Sequence, residues 1–165
     1  MNLFSVGQAL GFLSFGLGIS TFYQKNDRQL KLLMLIFNIN HLLHYLLLGS
    51  LISAVAAALS ALRTFASIHT QSKRVAWVFI SLAVVLGVFV AEDTSQMWPI
   101  VGTVIGTYCM FVLKGIAMRV GFLIGAACWL VNNIMVGSIG GTLLEATLIM
   151  TNITTIYRMH RESVI

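Results

Sequence analysis

Charge is scarce in this chain. Asp, Glu, Lys and Arg together make up 9% of its 165 residues, where a soluble domain carries about 25%. That shortage excludes water as the main solvent. Proline occurs once, at Pro99, so a proline kink in the middle of an apolar stretch is excluded. Cysteine occurs twice, at Cys109 and Cys128, both inside apolar stretches. A stapling disulfide framework is therefore not expected, and neither thiol reads as part of a metal site. Long polar segments are missing too, which leaves no room for a soluble catalytic or nucleic-acid-binding domain. No Lys or Arg precedes the apolar core of Met1 to Tyr23, unlike a secretory leader. This segment is read as a retained first helix.

What is present is apolar surface. Hydrophobic residues make up 58% of the chain, and the mean hydropathy is +0.92. A spanning helix needs about 20 apolar residues. Seven stretches approach that length, at 3–23, 31–48, 50–69, 75–91, 98–113, 118–136 and 138–158. The fold class expected is an all-α integral membrane bundle of seven transmembrane helices, with the lipid bilayer as its principal partner.

The few charges are ordered. The net charge is +5, yet the cations form no patch of the kind that binds nucleic acid. Lys25, Arg28 and Lys31 lie between stretches one and two, and Lys73 and Arg74 between three and four. Lys114 and Arg119 bracket the next such link, and Arg158 and Arg161 follow stretch seven. The alternate links carry Gly49-Ser50, Glu92-Asp93 and Gly137-Ser138, with no Lys or Arg. By the positive-inside rule the cationic side is cytoplasmic, so the amino terminus is expected outside and the carboxyl terminus inside.

An internal repeat accompanies this order. Aligning Gly49-Ser50 with Gly137-Ser138, at an offset of 88 residues, pairs Lys31 with Arg119, Leu35 with Leu123, Leu42 with Leu130 and Ala58 with Ala146. Stretches two and three overlay six and seven without a gap, while one against five is less clear. A three-helix unit starts outside and ends inside, so a second copy in the same orientation needs one extra crossing. The fourth stretch supplies it. The expected organisation is a 3+1+3 parallel repeat: residues 1–72 as the first three-helix unit, 73–94 as a linker helix and 95–165 as the second unit. Gly7/Gly11, Gly102/Gly106, Gly121/Gly125 and Gly137/Gly141 form small-xxx-small pairs that let helices approach closely.

Several runs carry a family resemblance: HYLLLGS (His44 to Ser50), ALR (Ala61 to Arg63), GTYCMF (Gly106 to Phe111) and WLVNNIMVGSIGGTLLE (Trp129 to Glu145). They are similar to the YgjV-type bacterial inner-membrane family, and the similarity covers essentially the whole chain. It implies a bacterial inner-membrane location and a fold more than an activity. More distantly, the 3+1+3 plan resembles the SWEET/PQ-loop (MtN3-like) transporter superfamily, which includes sugar and lysosomal amino-acid carriers. Half-size bacterial relatives there carry a Trp, a glycine turn and a pocket Asn sixteen residues after the Trp. Trp129, Gly137 and Glu145 stand at the matching positions here, and His41, Gly49 and Ala57 in the first unit. The Pro-Gln motif is absent, and stretches one and five lack the hinge prolines of those carriers.

Within the apolar stretches a few residues could carry chemistry. Glu145 lies near mid-depth of stretch seven between Leu144 and Ala146. An ionised side chain there costs about 2.5–3.5 kcal/mol on insertion scales, and intramembrane ionisable groups are functional by default. The plainer alternative is a protonated Glu acting as interhelical glue. Asn38, His41 and His44 share a face of stretch two with Tyr45. Trp129, Asn132 and Asn133 form the matching stripe on stretch six. Facing stripes would line a small cavity, or else simply hydrogen-bond the helices together. Two His at that spacing, with no Cys or Asp nearby, make a poor metal site. Arg63, about two turns from the cytoplasmic end of stretch three, is expected to snorkel to the headgroups. Gln8, Thr147, Thr151 and Asn152 could extend a polar path.

The function these readings point to is a carrier or facilitator of a small polar solute. Two three-helix units would rock around a midplane pocket of Glu145, Trp129, Asn132, Asn133, His41, His44 and Asn38. The alternative is a membrane receptor or assembly protein using the same fold without transport. No His-carboxylate metal signature, serine-nucleophile motif or cofactor fingerprint is present, so neither an enzyme nor a cofactor is expected. The glycine-rich faces leave room for a homo-oligomer.

Overall fold

The computed structural model describes residues 3–163, with side chains described from Ser5 to Glu162. The ends of the two expected three-helix units, residues 1–2 and 164–165, lie outside the described residues. Seven α-helices follow one another: α1 (Leu3–Tyr23), α2 (Asp27–Leu47), α3 (Leu51–His69), α4 (Lys73–Val90), α5 (Trp98–Val112), α6 (Gly115–Val136) and α7 (Ile139–Ser163). A 3-10 turn (Thr94–Met97) leads into α5. Among the described residues there is no strand.

Local chemistry accounts for the helix boundaries. Asn26 accepts from the N–H groups of Arg28 and Gln29 and so starts α2 four residues before the expected position. Asp93 receives the Ser95 N–H at 2.5 Å at the head of the 3-10 turn, and Pro99 occupies the first turn of α5, where its missing donor costs nothing. Two positive-φ glycines close helices at corresponding places. Gly49 (φ 76°) and Gly137 (φ 72°) are left-handed, a conformation that suits glycine. The bonding is the same in both turns. Gly49 N–H donates to Leu46 O and Ser50 N–H to Tyr45 O, while Gly137 N–H donates to Ile134 O and Ser138 N–H to Asn133 O.

Six of the helices are long and apolar enough to cross a membrane. The exception is α5, whose 15 residues fall short of the usual requirement of about 20. Helices α1, α2, α3, α5, α6 and α7 pack in that order into a closed ring, with α7 returning to α1. The remaining helix, α4, sits outside the ring against α3 and α5. It buries little more than Ala76, Ala83 and Gly87 and turns Trp77, Val78, Val88 and Phe89 outward.

The ring is apolar outside, and its polar side chains are turned inward beside a buried apolar core. On α2 the outward residues are Leu32, Ile36, Ile39, Leu43 and Leu46, whereas Asn38, Asn40, His41, His44 and Tyr45 are buried. That arrangement suits a bundle solvated by lipid, where outward apolar side chains cost nothing and polar groups must find partners within the protein. Glycine lets α1 and α7 approach closely, since the Gly140 backbone lies directly against that of Gly11.

Candidate functional site

Because successive turns of each helix face the ring interior, the interior is layered. At the end that carries Gly49 and Gly137, the inward residues are joined by side-chain hydrogen bonds. The Tyr45 hydroxyl donates to Asn133 Oδ1 at 2.5 Å, and Ser53 Oγ donates to Asn132 Oδ1 at 3.1 Å. His44 Nδ1 lies 2.7 Å from Gly7 O, and its Nε2 lies 2.8 Å from Ser138 Oγ. Every one of these bonds except that to Gly7 joins residues before α4 to residues after it.

The opposite end is closed by cations. Lys31 Nζ donates to the carbonyls of Ser67 at 3.1 Å and Met110 at 3.0 Å. Arg119 is fully buried and donates through Nη2 to Lys25 O at 3.1 Å, with Asp27 Oδ1 at 3.4 Å. The second Asp27 oxygen accepts from Gly115 N–H at 3.2 Å, and Lys25 pairs with Glu162 nearer the surface. All of these contacts except that to Ser67 again bridge the two halves of the chain, and they gather the link cations at one end of the bundle.

Between the layers lies a small cavity of about 60 Å³, below the usual range of about 300–1,000 Å³ for small-molecule sites. Four of the seven residues expected at a pocket line it: Glu145, Trp129, His41 and Asn38. The other three, His44, Asn132 and Asn133, are not among its lining residues and belong to the hydrogen-bonded layer above it. The α2 stripe is a single buried face, but one turn of helix separates its cavity half from its layer half.

Inside the cavity, His41 Nδ1 lies 2.7 Å from Ser14 Oγ, and its Nε2 has no partner. Ser14 is held in turn by Asn40 Nδ2 at 2.7 Å. Asn38 donates to Thr64 Oγ1 at 3.2 Å. The Trp129 ring stacks on Tyr45 at 5.8 Å between centroids, which ties the cavity roof to the layer above.

Arg63 departs from expectation. It does not snorkel outward: it is 5% exposed and lines the cavity. Its guanidinium lies against Gly106, where an added Cβ would meet Nη2 at 2.7 Å. Its Nη2 donates at 3.5 Å to Oγ of Ser60, which also lines the cavity. A sign of this inward face was present in α3, where Ser53, Ala57, Ser60, Thr64 and Ser67 recur every three or four residues as a small, polar stripe. Lys31 and Arg119, read from the sequence as link cations, are structural parts of the closing layer.

The other outlying polar residues do not form a path. Gln8 donates to Gly137 O, Asn152 donates to Arg119 O, and Thr147 is half-buried and donates to Leu143 O of its own helix. Cys109 and Cys128 are free and buried. Among the described residues no group of three or more His, Cys, Asp or Glu side chains could hold a metal.

A family model described as "Bacterial inner membrane protein" (Imp-YgjV) matches residues 5–163, nearly the whole chain. The chain belongs to the YgjV family. It is 30% identical over 161 residues to "Inner membrane protein YgjV" of Escherichia coli (strain K12), covering 98% of this chain and 88% of the relative. No solved structure matches. With its long apolar helices, this YgjV-family chain is a multi-pass protein of the bacterial inner membrane.

Proposed function

We propose that this protein is a carrier or facilitator for a small polar solute, built from two parallel three-helix units around the cavity. The carrying observation is the lining of that cavity. Met34 and Phe122, Phe37 and Gly125, Asn38 and Ala126, His41 and Trp129, Ala57 and Glu145, and Ser60 and Leu148 all line it, and each pair stands 88 positions apart. Twelve of its sixteen lining residues therefore fall into matched pairs, as a pocket on an axis between two copies requires.

The same offset extends to the pair that was unclear from the sequence, α1 and α5. Ser14 meets His41 in one unit and Gly102 meets Trp129 in the other. Thr155 bonds Phe22 O, and its counterpart Ser67 bonds the sulfur of Met110, which is the counterpart of Phe22. The ring order also repeats under this exchange, since α3 on α5 corresponds to α7 on α1.

A pocket between two layers that each bridge the units is the arrangement alternating access needs, with one layer parting at a time. We further propose that the cationic layer faces the cytoplasm and that Glu145 contributes to the solute site. Neither catalysis nor nucleic-acid binding is part of this reading. The rival reading, a receptor or assembly protein, draws on one feature: α1 contains no proline and α5 has only Pro99 in its first turn, so neither has a mid-helix hinge.

The test is uptake into proteoliposomes, preceded by thermal stability in detergent with sugars, amino acids, nucleosides and polyamines at pH 6 and pH 8. A bound solute raises the melting temperature. A shift with one class, lost in Glu145→Gln and accompanied by flux, is the expected result. No shift and no flux with any class, from protein that remains folded, would favour the receptor reading.

A further inference from the structure

The cavity holds an arginine and a glutamate that do not meet. Arg63, from α3, is 5% exposed, and its Nε and Nη1 have no hydrogen-bond partner. Glu145, from α7, is 4% exposed and forms no hydrogen bond or ion pair with another described residue. Both line the same space, and no bridge of 4.0 Å or less joins them. An uncompensated charge in such a place is costly, and pairing offsets the cost.

We propose that the cavity takes a small zwitterion, whose carboxylate is received by Arg63 and whose protonated amine is received by Glu145. This rests on the carrier reading above and names its solute class. The charge balance selects it. A simple carboxylate would satisfy the guanidinium and leave Glu145 facing a second negative group. A simple amine would do the reverse, and a sugar would leave both charges uncompensated. Only a solute with both ends completes both side chains while keeping the cavity neutral.

Guanidinium geometry fits the assignment, because its forked N–H groups match a carboxylate. Gly106 matters here, since a side chain at that position would displace the fork. The two receptors also sit on different units, Arg63 on the first and Glu145 on the second. A zwitterion therefore ties the units together across their interface. Trp129 and His41 line the same space.

The experiment measures the melting temperature of the purified full-length protein at pH 7. Glycine, β-alanine and 4-aminobutyrate are compared with acetate, methylamine and glucose. At least one zwitterion is expected to raise the melting temperature where the single-charged and uncharged compounds do not. Arg63→Gln and Glu145→Gln should each abolish the shift, and Arg63→Lys should weaken apparent affinity about tenfold or more by losing the fork. A shift with acetate, methylamine or glucose alone would overturn the zwitterion assignment while leaving the carrier reading intact. So would a zwitterion shift that survives in both Gln variants. Should Arg63→Gln fail to fold, the wild-type comparison still decides. Silence from every compound, including the broader panel above, would sink both readings.

Discussion

The Tyr45 hydroxyl meets Asn133 Oδ1 at 2.5 Å across the centre of the ring, and the two residues stand 88 positions apart. Under the proposed repeat they are the same position in two copies. A contact between equivalent residues can occur only at the axis that relates them. Asp27 and Gly115, bonded at the opposite end of the bundle, are also 88 apart. The two contacts would mark the axis above and below the cavity.

Tyr45→Phe should destabilise the protein, because it leaves a buried Asn133 oxygen without its donor. Adding Asn133→Leu should recover part of the loss, since both polar partners are then gone. Bonds of this type between membrane helices contribute about 0.6 kcal/mol on average and about 1.7 at most. A double-mutant cycle on unfolding in detergent should return a coupling in that range. Strict additivity would mean that the bond contributes nothing.

Gly106→Ala should weaken solute binding through Arg63, since the added Cβ would lie 2.7 Å from Nη2 and 2.9 Å from Nη1. The side chain can swing away, so the fold should survive while the guanidinium is misplaced. Gly16→Ala is the matched control, with nothing within 4 Å of its Cβ. Equal solute-induced melting shifts in the two variants would show that the position of Arg63 does not matter.

Gly140→Ala should fold poorly or not at all. Its Cβ would stand 2.6 Å from the carbonyl carbon of Gly11 and 2.9 Å from Phe12 N, and backbone has no rotamer with which to retreat. Gly125→Ala would meet its nearest neighbour, Gly102 O, at an ordinary 3.6 Å and should be tolerated. Size-exclusion profiles and yield distinguish the two. A normal Gly140→Ala protein would mean that α1 and α7 can separate at no great cost.

The proposed orientation predicts which end is reached from outside the cell. In a background with Cys109 and Cys128 replaced by Ser, Thr94→Cys should react with a membrane-impermeant maleimide in intact cells. Gln71→Cys, at the cationic end, should react only after lysis. The reverse pattern would turn the protein over and refute the positive-inside reading.

The residues themselves determined the solvent, the helices and most of their limits. Apolarity, glycine turns and capping are local properties that act wherever the chain lies. Thus 3–23 coincides with α1, and Gly49 and Gly137 mark the turns they suggest. Where local reading slipped, a local cause is visible: Asn26 starts α2 early by capping residues that hydropathy alone assigns to a link. The family was legible from the residue runs that resemble it, His44 to Ser50 and Trp129 to Glu145 among them.

What only the tertiary structure decided was the direction each polar residue faces and the depth at which it acts. Arg63 turns into the bundle although its stem could reach headgroups, because Gly106 on a helix distant in sequence leaves space for it. His44, Asn132 and Asn133 close a layer instead of lining the cavity, because their partners Ser138, Ser53 and Tyr45 come from the other half of the chain. A helix that is apolar nearly all round gives little contrast between its lipid face and its inner face. The inner face is settled by which neighbours complete the ring, and where α7 meets α1 bonded neighbours are 133 positions apart in sequence.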